Sequence, residues 1–518
     1  MGSLFDPGAS AHQATADTSP PGENGVDEGR VLESFGYEQK LARRMGSFSS
    51  FAVSFSGVGI TSSVFLTLAF ALSQSGSAGL WTWIPSSLGA LLIVAIFADL
   101  VGRIPVAGYA YQWSSRLTSP HIGWFIAITG LMGFAIGGTG TIFGVTPYFL
   151  EEFGLPTTTG WTVVGAIVLT VVVMSICIIG IRLTAVLNNA AVITEIVGSV
   201  GIALVILVYA IIVHPHPASF LFQEPSGFHG SYVLGPFVLA FLLGAFTYAG
   251  WELPADLAEE TRDATRVAAS SMFRSVIAIA IVGMIMLVGF TYAGSSVSSV
   301  ANSATPILSV ITYQWGGTAA RLIDIIFLIS FISVSMVLMS GAARLLFSLS
   351  RDRMVPGSGM LQKVARQSRS PYTSLIAVSV FGVCLFTIGA FLVPTVLGYI
   401  VGTAAVGYNL TYAAIAAIFI YKVRTNSLPR QFGKFSLGRW AQPVAWVALV
   451  WQVFLVCVLT IPTINRPVGI TTLVILALAA AWWALVLRRR IRNGTAGMLG
   501  RATVSSDGVK VVTTPAAT

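Results

Sequence analysis

The run from Val238 to Arg266, VLAFLLGAFTYAGWELPADLAEETRDATR, decides the fold. It opens as an apolar membrane span. Gly244 and then Gly250 interrupt its helical composition, Glu252 stands just past the second glycine, Pro254 follows, and the stretch ends in charge. A helix that breaks inside a bilayer frees amides and carbonyls that hydrocarbon cannot satisfy, so the break has to line a buried cavity or a ligand site. A matching interruption, Gly57–Ser63 (GVGITSS), lies in the first apolar span. Two such breaks in corresponding halves of a chain point to a solute site near the midplane.

The rest of the chain supplies the membrane setting. Of its residues 55% are hydrophobic and 9% charged, against roughly 25% charged in a soluble domain. About twelve apolar runs follow one another from Phe51 onwards, each close to the roughly 20 residues that cross a hydrocarbon core. No cleavable signal peptide is recognisable ahead of them, and residues 1–46, polar and rich in Gly, Ser, Pro, Asp and Glu, read as a disordered cytoplasmic tail. Residues 47–425 form a ten-helix core, 426–490 a basic loop with helices 11 and 12, and 491–518 a second disordered cytoplasmic tail. The fold class is an all-α polytopic membrane protein.

The net charge of +9 (29 basic less 20 acidic) reports topology rather than a nucleic-acid partner. With spans alternating from a cytoplasmic N-terminus, the inside collects nearly all Lys and Arg, including Arg344, Arg351 and the cluster Arg488, Arg489, Arg490, Arg492. The outside keeps Arg321 and Arg466. This is the positive-inside pattern. Cys177, Cys384 and Cys457 sit in separate apolar runs and read as buried and inert, and no cofactor or metal spacing is present. The oligomeric state is left open.

Polar residues inside the spans carry the chemistry. Span 1 holds Ser54, Ser56, Gly57, Gly59, Thr61, Ser62 and Ser63 within a few turns. They read either as small-residue packing or as an unwound segment whose amides face an anion. Glu195 lies in the apolar run of span 5. A carboxylate at a helix centre costs roughly 2.5–3.5 kcal/mol on insertion scales, so it is functional unless it snorkels to the rim or pairs with Arg182. Ser330, Ser333 and Ser335 in span 8 either bond back to their own helix or face span 1 as a Na⁺ site. Gly133, Gly137, Gly140 and Gly144 mark close helix contact along span 3. Asp99 and Arg103 are spaced to pair. The loop Ile104–Leu117, IPVAGYAYQWSSRL, reads as a glycine-centred turn in an interfacial aromatic belt. Glu259–Arg274 reads as a cytoplasmic amphipathic helix.

Three of these motifs carry a family resemblance. Gly250-Trp251-Glu252 with Ala258-Glu259-Glu260-Thr261, the loop Ile104–Leu117, and the run Ala343-Arg344 through Arg351-Asp352 to Pro356 together resemble the amino acid–polyamine–organocation (APC) superfamily of permeases, in its amino acid/choline (GABA permease-like) branch. The likeness covers about Ser47 to Arg490. The chain departs from that pattern in having Thr61-Ser62-Ser63 for the glycine-rich triplet of helix 1, Tyr109 for the second loop glycine, and Glu195 where many members have a helix 5 lysine.

The resemblance implies a leucine-transporter-type 5+5 inverted repeat plus two extra helices. It also implies secondary active uptake, by alternating access, of an amino acid or related amine such as 4-aminobutyrate at the plasma membrane, with both termini cytoplasmic. A choline or polyamine permease and an amino acid exchanger are the alternatives. By position, the positive end of a half-helix at Gly59, Thr61, Ser62 and Ser63 would hold a substrate carboxylate. Carbonyls near Phe246, Ala249 and Gly250 would meet its ammonium. Phe246 is expected to stack over the bound cation as a gate, with Tyr248 and Trp251 as further gating candidates. Glu252, and secondly Glu195, are the expected proton carriers; Na⁺ is the less favoured coupling ion. An enzyme is not indicated, since no HExxH, paired in-span histidines or GxSxG elbow occurs. A channel would need a continuous polar pore, whereas the polar residues cluster at two breaks.

Overall fold

The computed structural model describes residues 43, 45–106, 108–179, 181–214, 216–225, 231–303, 305–365, 368, 370–392, 396–497, 501–505 and 508–512. Eleven helices among them are long and apolar enough to cross a membrane. The expected twelfth, span 6, is the split one. Pro236–Thr247 is too short to cross, the chain leaves helical geometry from Tyr248 to Glu252, and Leu253–Asp256 then makes a single turn.

Burial sorts the spans into a core and a rim. Spans 1, 2, 3, 8 and 10 (Ser47–Ser75, Ser77–Val101, Pro120–Glu152, Gly317–Arg351, Leu397–Arg424) have 67–83% of their most apolar windows covered by protein. Spans 4, 5, 9, 11 and 12 (Thr159–Ile179, Val186–Val213, Tyr372–Leu392, Gly438–Thr460, Thr463–Arg492) have 17–33% covered. The rim leaves Val208, Ile212, Phe391, Leu473 and Leu485 bare, as helices that face hydrocarbon do. Span 7 (Ala264–Tyr292) is intermediate.

At the centre the two interrupted helices touch through backbone. Span 1 breaks at one residue, Gly59, whose φ of 55° ends the half-helix Ser47–Val58 and starts Ile60–Ser75. Gly250 has a φ of 90°. A Cβ on Gly57 would strike the Gly250 carbonyl and Leu253, and one on Gly250 would strike the Gly57 carbonyl. Ser54 Oγ donates to the Trp251 carbonyl across the junction at 2.7 Å.

Several sequence expectations need correction. Gly244 does not interrupt span 6: it lies within the helical turn Phe241–Thr247, where its missing side chain admits Ser86. The span 1 break is narrower than Gly57–Ser63, because the hydroxyls of Ser62 and Ser63 donate to the carbonyls of Gly59 and Val58 and the helix resumes at once. Ile104–Leu117 is not an interfacial belt. After Gly108 it forms the helix Tyr109–Leu117, with Tyr109, Tyr111 and Trp113 fully buried. The amphipathic helix over Glu259–Arg274 is replaced by a turn at Asp263 and one continuous helix Ala264–Tyr292. Of the cysteines, Cys177 is buried but Cys384 is exposed and Cys457 half-buried. In the C-terminal stretch, Gly497 is anchored by its amide to the Asp352 carbonyl at 2.8 Å, and the β-branched segments Arg501–Ser505 and Gly508–Val512 pair as an antiparallel hairpin.

Two readings carry over directly. Asp99 and Arg103 pair at 2.5 Å. The span 3 glycines are contact points: side chains on Gly133, Gly140 and Gly144 would meet Tyr408, Ile400 and Leu397 of span 10. Three π-helical turns, Met132–Ile136 in span 3, Ile196–Val200 in span 5 and Trp483–Leu487 in span 12, have no marker in the residue pattern.

The junction is testable. Gly250→Ala adds a left-handed-backbone penalty to a backbone clash, together roughly 2–5 kcal/mol. It should lower the unfolding temperature in detergent sharply, whereas Gly398→Ala, which meets nothing within 4 Å, should leave it unchanged. Equal shifts in the two variants would mean the glycine pair is not a constrained contact.

Candidate functional site

A small cavity lies against the junction. It is lined by Gly57, Val58, Ser62 and Ser63 of span 1, Gly137 and Thr141 of span 3, Phe246 and Ala249 of span 6, Val334 and Leu338 of span 8, and Tyr408 of span 10. None of these lining side chains is charged. The polar groups offered are hydroxyls and main chain.

The main-chain groups can be accounted for one by one. In span 6 the Ala245 carbonyl accepts from Asn409 Nδ2 at 3.1 Å, the Tyr248 carbonyl from the Trp251 indole at 3.1 Å, the Gly250 carbonyl from the Leu253 amide at 3.3 Å, and the Trp251 carbonyl from Ser54. Among the described residues no donor reaches the carbonyls of Phe246 and Ala249. In span 1 the Ser63 amide donates to the Gly59 carbonyl at 2.8 Å and the Thr61 amide to Glu195 Oε1 at 3.1 Å. The amides of Ile60 and Ser62 have no acceptor among the described residues. One side of the junction thus presents amides at the positive end of a half-helix and the other presents bare carbonyls, the pair a molecule with both an anionic and a cationic group requires.

The expected site residues therefore divide. Ser62, Ser63, Phe246 and Ala249 line the cavity, and Gly59 and Gly250 form the hinges that shape it. Thr61 turns to Glu195. Tyr248 and Trp251 lie on another side, in a small pocket with Ser86, Asn409, Tyr412 and Gln452 between spans 2, 6, 10 and 11. There the Tyr248 hydroxyl and Ser87 Oγ are 2.5 Å apart. Thr141, Val334 and Leu338 carry no signal in the sequence, whereas Tyr408 stands out there as lying within span 10. The signal for Tyr408 was the glycine row on span 3, since Gly133 is the surface its ring packs on.

Glu195 is 1% exposed, which removes the snorkelling alternative; the Arg182 side chain lies outside the described residues. The Ser330 hydroxyl stands beside its carboxylate, and apart from each other Oε2 and that hydroxyl have no hydrogen-bond partner among the described residues. Ser333 Oγ donates to Asn188 Oδ1 at 2.8 Å and lies 3.5 Å from Ser56 Oγ, whereas Ser335 bonds back to the Phe331 carbonyl. Glu252 is fully buried and accepts from the Tyr412 hydroxyl at 2.7 Å. It is walled off by the rings of Phe97, Tyr109, Trp251 and Tyr412, which pack edge-on or tilted.

The three motifs that carry the resemblance meet in one buried polar cluster. Arg344 grips Glu260 with both arms of its guanidinium, Nη2 lying 3.1 Å from Oε2, and donates to the Ser340 carbonyl at 3.1 Å. Arg351 lies 3.7 Å from Glu259. Asp256 accepts the Gly108 amide at 3.1 Å, the Tyr111 hydroxyl donates to Asp352 at 2.6 Å, and Gln112 donates to Ser348 at 3.0 Å. Met45 is stitched beside them by main-chain bonds to Glu260 and Arg262, each 3.0 Å.

Known proteins resemble the chain along most of its length. An uncharacterized amino-acid permease of Schizosaccharomyces pombe is 23% identical over 451 residues, covering 84% of this chain and 80% of its own. The amino-acid permease BAT1 of Arabidopsis thaliana is 23% identical over 513 residues, covering 89% and 95%. The thiamine transporter thi9 of S. pombe is 21% identical over 480 residues, covering 83% and 79%. The family model described as amino acid permease matches residues 45–484, and with its split helices and APC-type span count the chain belongs to the amino acid permease family.

Proposed function

We propose that the protein takes up a zwitterionic amino acid or close relative, such as 4-aminobutyrate, across the plasma membrane by alternating access coupled to protons. The observation that carries this reading is the cavity at the junction, which has no charged side chain in its lining. Among the described residues it has the unbonded Ser62 amide on one wall, with that of Ile60 just before it in the chain, and the unbonded carbonyls of Phe246 and Ala249 on the other. Main-chain dipoles of opposite sign suit a solute that is neutral overall and charged at both ends. In this reading the carboxylate sits on the Ile60 and Ser62 amides with the Ser62 and Ser63 side chains beside it. The ammonium meets the Phe246 and Ala249 carbonyls, with the Phe246 ring over it.

Glu195 supplies the coupling. An ionised Glu195 occupies the same half-helix end that the substrate carboxylate uses, and two anions there oppose each other. Protonation removes that opposition, so substrate and proton favour one another from the outside. Glu252, held by Tyr412 behind the junction, is the second carrier. A cationic substrate is the competing reading, and the same contact favours it: an ionised Glu195 would neutralise the half-helix and leave the carbonyls to bind an organic cation. The uptake role requires the Arg344–Glu260 closure to open in each cycle.

Uptake into proteoliposomes with a labelled panel of amino acids and amines tests both readings. Zwitterions should be taken up faster from an acidic exterior; preference for choline or a polyamine would select the competing one. Glu195→Gln should reduce proton-driven uptake by about 5- to 150-fold, the usual range of coupling between two ligands, while counter-exchange persists. Glu252→Gln should do the same if it relays the proton. If both variants follow the parent's pH dependence, protons are not the coupling ion.

Arg344→Lys keeps the charge but loses the two-armed grip. It should slow uptake and increase reaction of a cavity cysteine, Thr141→Cys in a chain otherwise freed of cysteine, with an impermeant thiol reagent applied to the Arg344 side. Unchanged labelling would remove the closure from the transport cycle.

A further inference from the structure

A second cavity, of about 440 Å³, lies between spans 3, 9 and 12. Its walls include Trp124, Leu131, Leu346, Phe381, Leu478 and Trp482, and Pro356 closes one end. The indole nitrogens are already engaged: Trp124 donates to the Ala479 carbonyl at 3.0 Å and Trp482 to the Met354 carbonyl at 3.1 Å. The groove is therefore apolar, with fixed aromatic walls, and it opens between two rim helices that face hydrocarbon. It shares no lining residue with the cavity at the junction. An apolar cavity does not hold water well, and one open to the bilayer takes lipid.

Charge identifies which lipid. One to two turns beyond Trp482, span 12 ends in Arg488–Arg492, with Arg488, Arg489 and Arg492 exposed. Seven residues past Trp482 a regular helix returns to the same face, at Arg489, and the π turn Trp483–Leu487 carries that position on to Arg490. Arg488 leans over the Trp483 ring at 5.7 Å. Among the described residues none of these arginines forms an ion pair. By the positive-inside pattern, on which the choice of leaflet rests, this end faces the cytoplasm.

We propose that the groove is a binding site for an anionic phospholipid of the inner leaflet, with an acyl chain between spans 3, 9 and 12 and the phosphate on the Arg488–Arg490 cluster. Basic groups at a membrane surface favour anionic headgroups, and the groove adds the apolar area that ties that preference to one place. Sterols and neutral lipids could fill the groove but would gain nothing from the arginines.

The full chain in nanodiscs, doped with phosphatidylserine or phosphatidylcholine carrying a photoreactive acyl chain, provides the test. After irradiation, phosphatidylserine adducts should concentrate on peptides containing Leu131, Phe381 and Leu478 and exceed those of phosphatidylcholine severalfold. Combined Arg488→Gln, Arg489→Gln and Arg490→Gln should lower phosphatidylserine adducts by up to about 100-fold, the change that the contribution of three basic groups at an anionic surface converts to. Adducts spread evenly over spans 4, 5 and 11, or equal yields from the two lipids in the parent protein, would overturn the proposal whether or not the arginine variant folds. Retention of the preference in a folded arginine variant would overturn the headgroup assignment.

Discussion

A peptide group without a partner in hydrocarbon is costly, on the order of several kcal/mol, and this constraint governs the centre of the molecule. Two helices are cut where no water reaches, and their cut ends are placed against each other. Glycine at 57 and 250 is what lets the main chains meet. Serines on span 1, an asparagine on span 10 and an indole on span 6 then take up the freed groups that the junction itself does not. What is left over has direction, with donors from one helix and acceptors from the other facing a single small space. The polarity of that space comes from main chain and hydroxyls, while side chains of spans 3, 8 and 10 shape its walls.

The polar cluster around Arg344 depends on different physics. Arg344 and Glu260 are both nearly inaccessible to water, and a buried ion pair gains little over a hydrophobic contact while being expensive to break one-sidedly. In the proposed transport cycle, such a pair suits a contact formed in one arrangement and hydrated in another. It stands a few residues along the chain from the broken helix: Glu252 marks the end of the break and Glu260 carries the grip, with Asp256 bonded to the Gly108 amide between them. A change in the tilt of the short segment between them is therefore felt at both the cavity and the closure.

Much of this was legible beforehand because it rests on composition. Membrane class, span number, the splitting of span 6 at Gly250, the break in span 1 and the contact row on span 3 all follow from apolar length and from glycine where a helix should continue. The errors share a cause. Gly244 and Gly250 look alike in sequence, but one admits the Ser86 side chain and the other bends the chain, and only the neighbouring helix distinguishes them. Tyr109, Tyr111 and Trp113 carry the composition of an interface and are buried because Phe97, Phe134, Asp352 and the broken helix converge on them. Glu195 was recognisable as a carboxylate in the wrong solvent. That it meets the Thr61 amide, from a span remote in sequence, could not be read from either segment alone.

The π turns of spans 3, 5 and 12 have a mechanical consequence. Each holds one residue more than the regular ladder accommodates, a surplus that can be handed along a helix without melting it. Every position the surplus passes is rotated by about 100° about the helix axis. On span 5 the surplus begins immediately after Glu195. Passing it one turn back would swing that carboxylate off the Thr61 amide while both ends of the helix stay anchored, so a small slip of register, rather than a hinge, is enough to make or release the contact.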